Sequence, residues 1–133
     1  MHMIIGLAVC LIASGAGAEV AGDRDEGGRL FHLHCASCHG PDAAGDGSMA
    51  GILENAPADL TRLAANNDGV FPTRRVVSQI DGRTPLSGHG GEMPVYGWFF
   101  KGSPVTLYAE TGTEIPTTRA VADLIAWLKA IQD

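Results

Sequence analysis

Cysteine is scarce in this sequence, with three residues among 133, at positions 10, 35 and 38. That leaves room for one disulfide at most and excludes a fold stapled by several. Basic residues are scarce as well. Nine Lys and Arg stand against fifteen Asp and Glu, for a net charge of −6. Nucleic acids and anionic membranes attract stripes of Lys and Arg, so the balance argues against both as partners. No apolar run reaches the roughly 20 residues that span a bilayer. The chain has no internal repeat and no run of strands, and its length allows one domain with a real core rather than two. Downstream of Cys38 there is no second C-x-x-C pair and no H-x3-5-H pair.

What is present begins with MIIGLAVCLIASGAGA, Met3 to Ala18, sixteen uncharged residues ending in small ones. An apolar stretch followed by an A-x-A site reads as a secretory signal peptide, cleaved after Ala18. Its n-region is only Met1-His2, without a Lys or Arg. A lipoprotein anchor at Cys10 is the rival reading, disfavoured by the bulky Val9 before it. Export predicts a periplasmic domain over 19–133 and removes Cys10. The two remaining cysteines would close too small a loop to stabilise much as a disulfide. A small exported domain then needs another staple, and a bound prosthetic group is one.

Along the mature chain, Gly27 to Cys35 reads as the end of a first helix, entered through the charged stretch from Glu19 to Glu26. Residues 40–57, rich in Gly, Pro and Asp, read as a long loop, and 59–65 as a short helix. Pro72 opens TRRVVSQIDG, with Gly82 as its stop. Thr84 to Gly97 returns to loop, and Val105–Tyr108 with the turn at 111–113 predicts a small hairpin. The last stretch repeats apolar residues at helical spacing, Val121, Leu124, Ile125, Leu128 and Ile131, behind a Thr117 or Thr118 cap. The expected class is mainly α with long loops.

The chemistry concentrates in FHLHCASCHG, residues 31–40. Two thiols three residues apart, followed by an imidazole, suit a zinc site, a redox dithiol or a covalently attached haem. Structural zinc wants four ligands, and the second pair is missing. A redox C-x-x-C wants a strand-to-helix setting that this pattern lacks. C-x-x-C-H, here Cys35, Cys38 and His39, matches covalent haem attachment directly. Chance would produce it about 0.0025 times in a chain of this composition.

At this point the sequence resembles the class I c-type cytochromes. Gly27-x-x-x-Phe31-x-x-x-Cys35 with Ala36-Ser37-Cys38-His39-Gly40 looks like their first helix and attachment turn. Met93-Pro94-Val95-Tyr96-Gly97 looks like their sixth-ligand loop, and Arg119 to Gln132, with Trp127, like their last helix. The resemblance implies N- and C-terminal helices that cross around one covalent haem c, with Gly27 or Gly28 permitting close approach at the crossing. The segment from Trp98 to Pro116 departs from the smallest members as an insertion.

The same resemblance implies His39 as proximal ligand through Nε2, its Nδ1–H held by a backbone carbonyl, for which Pro57 is the matching position. For the sixth position Met93 is favoured over His89 in the same loop, and Met49 is expected as core filler. Arg83, Tyr96 and Trp98 are candidate donors to the haem propionates, with core as the other expectation for Trp98. His32 and His34 are expected to lie partly exposed beside the attachment turn. A capped, apolar site favours one-electron exchange between redox proteins over substrate chemistry. The alternative is a haem enzyme or ligand-binding protein with a labile distal ligand. The acidic charge suits partners with a basic docking face.

Overall fold

The computed structural model describes residues 21–82 and 93–133. The signal segment 1–18, Cys10, Arg83 and His89 lie outside those residues. Four helices and one hairpin run in the order α1 (Arg24–His34), α2 (Ala36–His39), α3 (Thr73–Asp81), β1 (Pro104–Tyr108), β2 (Glu114–Thr118) and α4 (Arg119–Ala130). No helix among the described residues is long and apolar enough to cross a membrane.

Helix α1 starts two residues before Glu26 because Asp23 caps it: its carboxylate accepts from the N–H groups of Asp25 and Glu26 at 2.9 and 3.1 Å. Asp25 and Glu26 in the first turn suit the positive end of the helix. It buries Leu30 and Phe31 against α4, whose stripe of Val121, Leu124, Ile125 and Leu128 is almost wholly removed from solvent. The expected crossing is present. A side chain at Gly27 would run into the Asp123 carbonyl of α4, and one at Gly28 into the Trp127 ring. The missing side chains let Trp127 stack on Phe31, ring centroids 4.3 Å apart.

Helix α3 ends where expected, at Gly82 in the left-handed conformation with φ of 69°. The short helix expected over 59–65 is instead a pair of 3₁₀ turns, Leu60–Arg62 and Ala65–Asn67. Thr118 does occupy the N-cap position of α4, but its side chain makes no capping bond. The first turn of α4 is held by the hairpin instead, through Arg119 N–H donating to the Ser103 carbonyl at 3.0 Å.

The antiparallel hairpin pairs Pro104 with Thr118 through Tyr108 with Glu114. Alternation turns Leu107, Ile115 and Thr117 inward. Glu110 then reaches from the hairpin end and accepts the Thr73 N–H at 2.8 Å, capping α3. The hairpin part of the insertion thus contributes to the core.

Candidate functional site

The end of α1 and the turn of α2 present the attachment residues. Cys35 closes α1 by donating its N–H to the Phe31 carbonyl, and the His39 N–H returns to the Cys35 carbonyl at 2.9 Å. The following loop then lies along α2 and satisfies its carbonyls, with Gly45 N–H to His39 at 2.8 Å and Gly47 N–H to Cys38 at 3.1 Å. The same loop carries Ala58 back to His39. The ring Nδ1 lies 2.9 Å from the Ala58 carbonyl oxygen. Because a carbonyl only accepts, Nδ1 carries the hydrogen, and Nε2 keeps its lone pair for a metal. The acceptor is therefore Ala58 and not Pro57, one residue away: the chain turns so that the Ala58 carbonyl faces the ring.

Cys35, Cys38 and His39 open onto a cavity of about 720 Å³. Its walls are apolar over most of their extent. Phe31 of α1, Leu60 of the 3₁₀ turn Leu60–Arg62 and Leu63 just after it, Val76 and Ile80 of α3, and Leu124 and Leu128 of α4 line it. Met93 enters from the far loop, half-buried against the same core. Two hydrogen bonds fix that loop: Tyr96 N–H donates to the Ile80 carbonyl at 2.6 Å, and the Tyr96 hydroxyl to the His34 carbonyl at 3.0 Å. On the opposite wall Gln132 ties the end of α4 to the Leu60 carbonyl and the Ala64 N–H.

The Cys35 thiol is not poised as a ready thiolate. Burial pushes Cys35 up to about 11, and Cys38 beside it adds to the rise. A low-pKa thiolate is what a dithiol catalyst needs. The two cysteines are free rather than bridged. No three His, Cys, Asp or Glu side chains converge to hold a metal among the described residues.

The family model for cytochrome c matches residues 25–132. The chain belongs to the cytochrome c family. Comparison with curated proteins and with solved structures returned no match. Membership makes it a haem-binding electron carrier whose cofactor is haem c, and the cavity fits such a group. Its volume lies within the roughly 300–1,000 Å³ of ligand pockets. Two thiols stand at one wall, an imidazole is oriented by its own carbonyl partner, and a thioether stands in the loop opposite.

Other expectations divide. Met49 is no core filler: it is 40 % exposed, outside the cavity, because its N–H is engaged by the Ser37 carbonyl along the surface of α2. Trp98 is neither core nor cavity wall, at 71 % exposure. The Tyr96 hydroxyl is already committed to His34, and burial pushes its pKa up, so it remains a donor. His32 is exposed and donates from its ring Nδ1 to the Gly28 carbonyl at 2.7 Å, whereas His34 lines the cavity. Arg75, expected only as a candidate docking residue, and Gln79, one turn further on α3, both bring polar groups to the cavity. Their i, i+4 spacing on the face of Val76 and Ile80 was the available signal.

Proposed function

We propose that this protein is a periplasmic one-electron carrier holding one haem c, bonded through Cys35 and Cys38 and ligated by His39 and Met93. It passes electrons between redox partners or serves as the cytochrome subunit of a redox complex. The observation that carries this reading is that both thiols, the oriented imidazole and Met93 line one largely apolar cavity. When bound, haem supplies a one-electron iron couple, and Met/His ligation suits it to transfer.

The chain's own residues do the rest. Ala58 holds the His39 ring in the tautomer that leaves Nε2 free. Tyr96 fastens the Met93 loop to α1 and α3, so that the thioether is held in place. Phe31, Leu60, Val76, Ile80, Leu124 and Leu128 exclude water, which keeps reorganisation on a change of charge small. The net charge of −6 favours a basic docking face on one partner, with a rate that falls as salt shortens the Debye length to about 8 Å at physiological strength. A rate that rises with salt instead would place the docking face among Arg74, Arg75, Arg83 and Lys101.

Intact mass of protein matured with its attachment machinery should equal residues 19–133 plus one haem. Haem that extracts into acid–acetone overturns the covalent reading. Met93→Ala should abolish the near-red charge-transfer band of the oxidised protein and admit carbon monoxide to the reduced one. If His89→Ala does so and Met93→Ala does not, the ligand is His89. If the wild type already binds carbon monoxide, the site belongs to a ligand-binding protein or enzyme.

A further inference from the structure

Three large apolar side chains stand out from the surface just after Met93. Val95 and Phe99 are each 48 % exposed and Trp98 is 71 % exposed. Adjacent apolar side chains left open to water mark contact sites more often than chance surface. These rings also lead inward. Trp98 meets Phe99 edge to face at 5.9 Å, and Phe99 meets His34 at 5.0 Å and Phe100 at 5.3 Å. His34 and Phe100 line the cavity. Ring contacts therefore run without a gap from solvent at Trp98 to the cavity wall, one aromatic layer in.

The charge pattern sets this surface apart from the rest of the chain. From Met93 to Ala109 there is no Asp or Glu, and Lys101 is the only charged residue, in a protein of net charge −6. This stretch, between Glu92 and Glu110, adds no carboxylate of its own to the acidic balance that suits a basic partner, and what it offers is apolar area. A carrier has two partners, a donor and an acceptor, and two unlike surfaces let them be told apart.

We propose that Val95, Trp98 and Phe99 form the docking surface for a second redox protein, one whose own docking face is apolar and weakly charged. The proposal rests on the electron-carrier reading. One electron leaves the reduced protein and arrives on the oxidised centre of the partner, with no bond formed and no proton moved. The aromatic link to the cavity favours a redox protein over a lipid surface, which would gain nothing from it. Contact of this kind depends on buried aromatic area and not on charge, so it is insensitive to salt.

The probe is a blue-copper protein with an apolar, uncharged docking face. Its copper(II) form reads electron transfer, and its redox-silent zinc-substituted form reads binding alone. Trp98→Ser and Phe99→Ser should each weaken binding and slow copper reduction by about ten-fold. The loss should be the same at about 10 mM and about 500 mM salt. Ile52→Ser, which alters a residue 74 % exposed on another loop, should change neither. The optical spectrum, the midpoint potential and the rate with ferricyanide should stay as in the wild type. A haem-loaded wild type whose binding ignores Trp98, or a variant slowed equally with ferricyanide, overturns the docking surface alone. A wild type that lacks the covalent haem spectrum overturns the carrier reading and this proposal with it. Wild-type sedimentation with phosphatidylcholine vesicles that Trp98→Ser abolishes would assign the patch to a bilayer. Self-association that the same variant abolishes would assign it to a second copy, and either result overturns the proposal.

Discussion

The crossing of α1 and α4 makes a sharp distinction between two neighbouring glycines. In Gly27→Ala the new methyl would overlap the Asp123 carbonyl oxygen and stand 2.9 Å from Trp127 Cβ. Backbone cannot rotate away, so the helices must part. That strains the Phe31–Trp127 stack and the 2.7 Å bond from Asp23 N–H to the Asp123 carboxylate. Overpacking costs about 1–3 kcal/mol, and more where backbone must move. Replacing Gly by Ala inside a helix returns about 1 kcal/mol. A net loss of about 2 kcal/mol follows for Gly27→Ala, or a fall of roughly 8 °C in Tm for a domain of this length. In Gly28→Ala the methyl meets only the Trp127 ring, at 2.9 Å from Cδ1 and Nε1. That ring is partly exposed and can swing, so the change should be neutral to within about 1 kcal/mol. Thermal unfolding of the haem-loaded variants, followed by far-ultraviolet circular dichroism, separates the two. A Gly27→Ala variant as stable as the wild type, or a larger loss in Gly28→Ala, would refute the described crossing.

Glu110 supplies a pH test. Burial works against its charge, but the hydrogen bond from the Thr73 N–H and the attraction of the Lys129 ammonium help to offset that, and its carboxyl is held below the ordinary range. A depressed carboxyl contributes stability above its unfolded value of about 4.3, lost as pH falls through the lower folded value. Glu110→Gln should therefore cost at most about 1 kcal/mol at neutral pH, since solvent screens the group. Its denaturation midpoint should converge on that of the wild type in acid. Asp123, 3 % exposed, accepts the Asp23 N–H. Asp123→Ala should cost about 1–3 kcal/mol by orphaning that donor, and Asp123→Asn clearly less, measured by guanidinium unfolding.

The attachment turn, α3, the hairpin and α4 were legible because each rests on local rules: a fixed spacing, a Gly stop, a turn between β-branched runs, a 3.6-residue stripe. Apart from the early start of α1, the departures depend on where the chain passes in space. Whether Pro57 or Ala58 faces His39 turns on a single peptide's orientation, which no side chain announces. Asp123 interrupts the buried face of α4 because a backbone N–H from the other end of the chain needs an acceptor there. The Asp23 cap was readable in principle, as an Asp just before a charged first turn. Trp98 reads as core or donor by residue type, and only the path of the loop puts it in water.

The hairpin has a consequence for how such a chain could be lengthened or cut. Its two ends lie side by side, with Pro104 opposite Thr118 and Ser103 bonded to Arg119, so the chain enters and leaves through one doorway. Excision there would let the loop reach α4 without moving that helix. The receiving face, however, has been shaped to its guest: Leu107, Ala109, Ile115 and Thr117 are buried, and the start of α3 relies on Glu110. Removal would strip apolar cover from the core and leave the Thr73 N–H without its acceptor. An element that is simple to splice in topologically has become costly to splice out energetically, and a graft into a smaller relative would need this receiving face as well as the fifteen residues from Pro104 to Thr118.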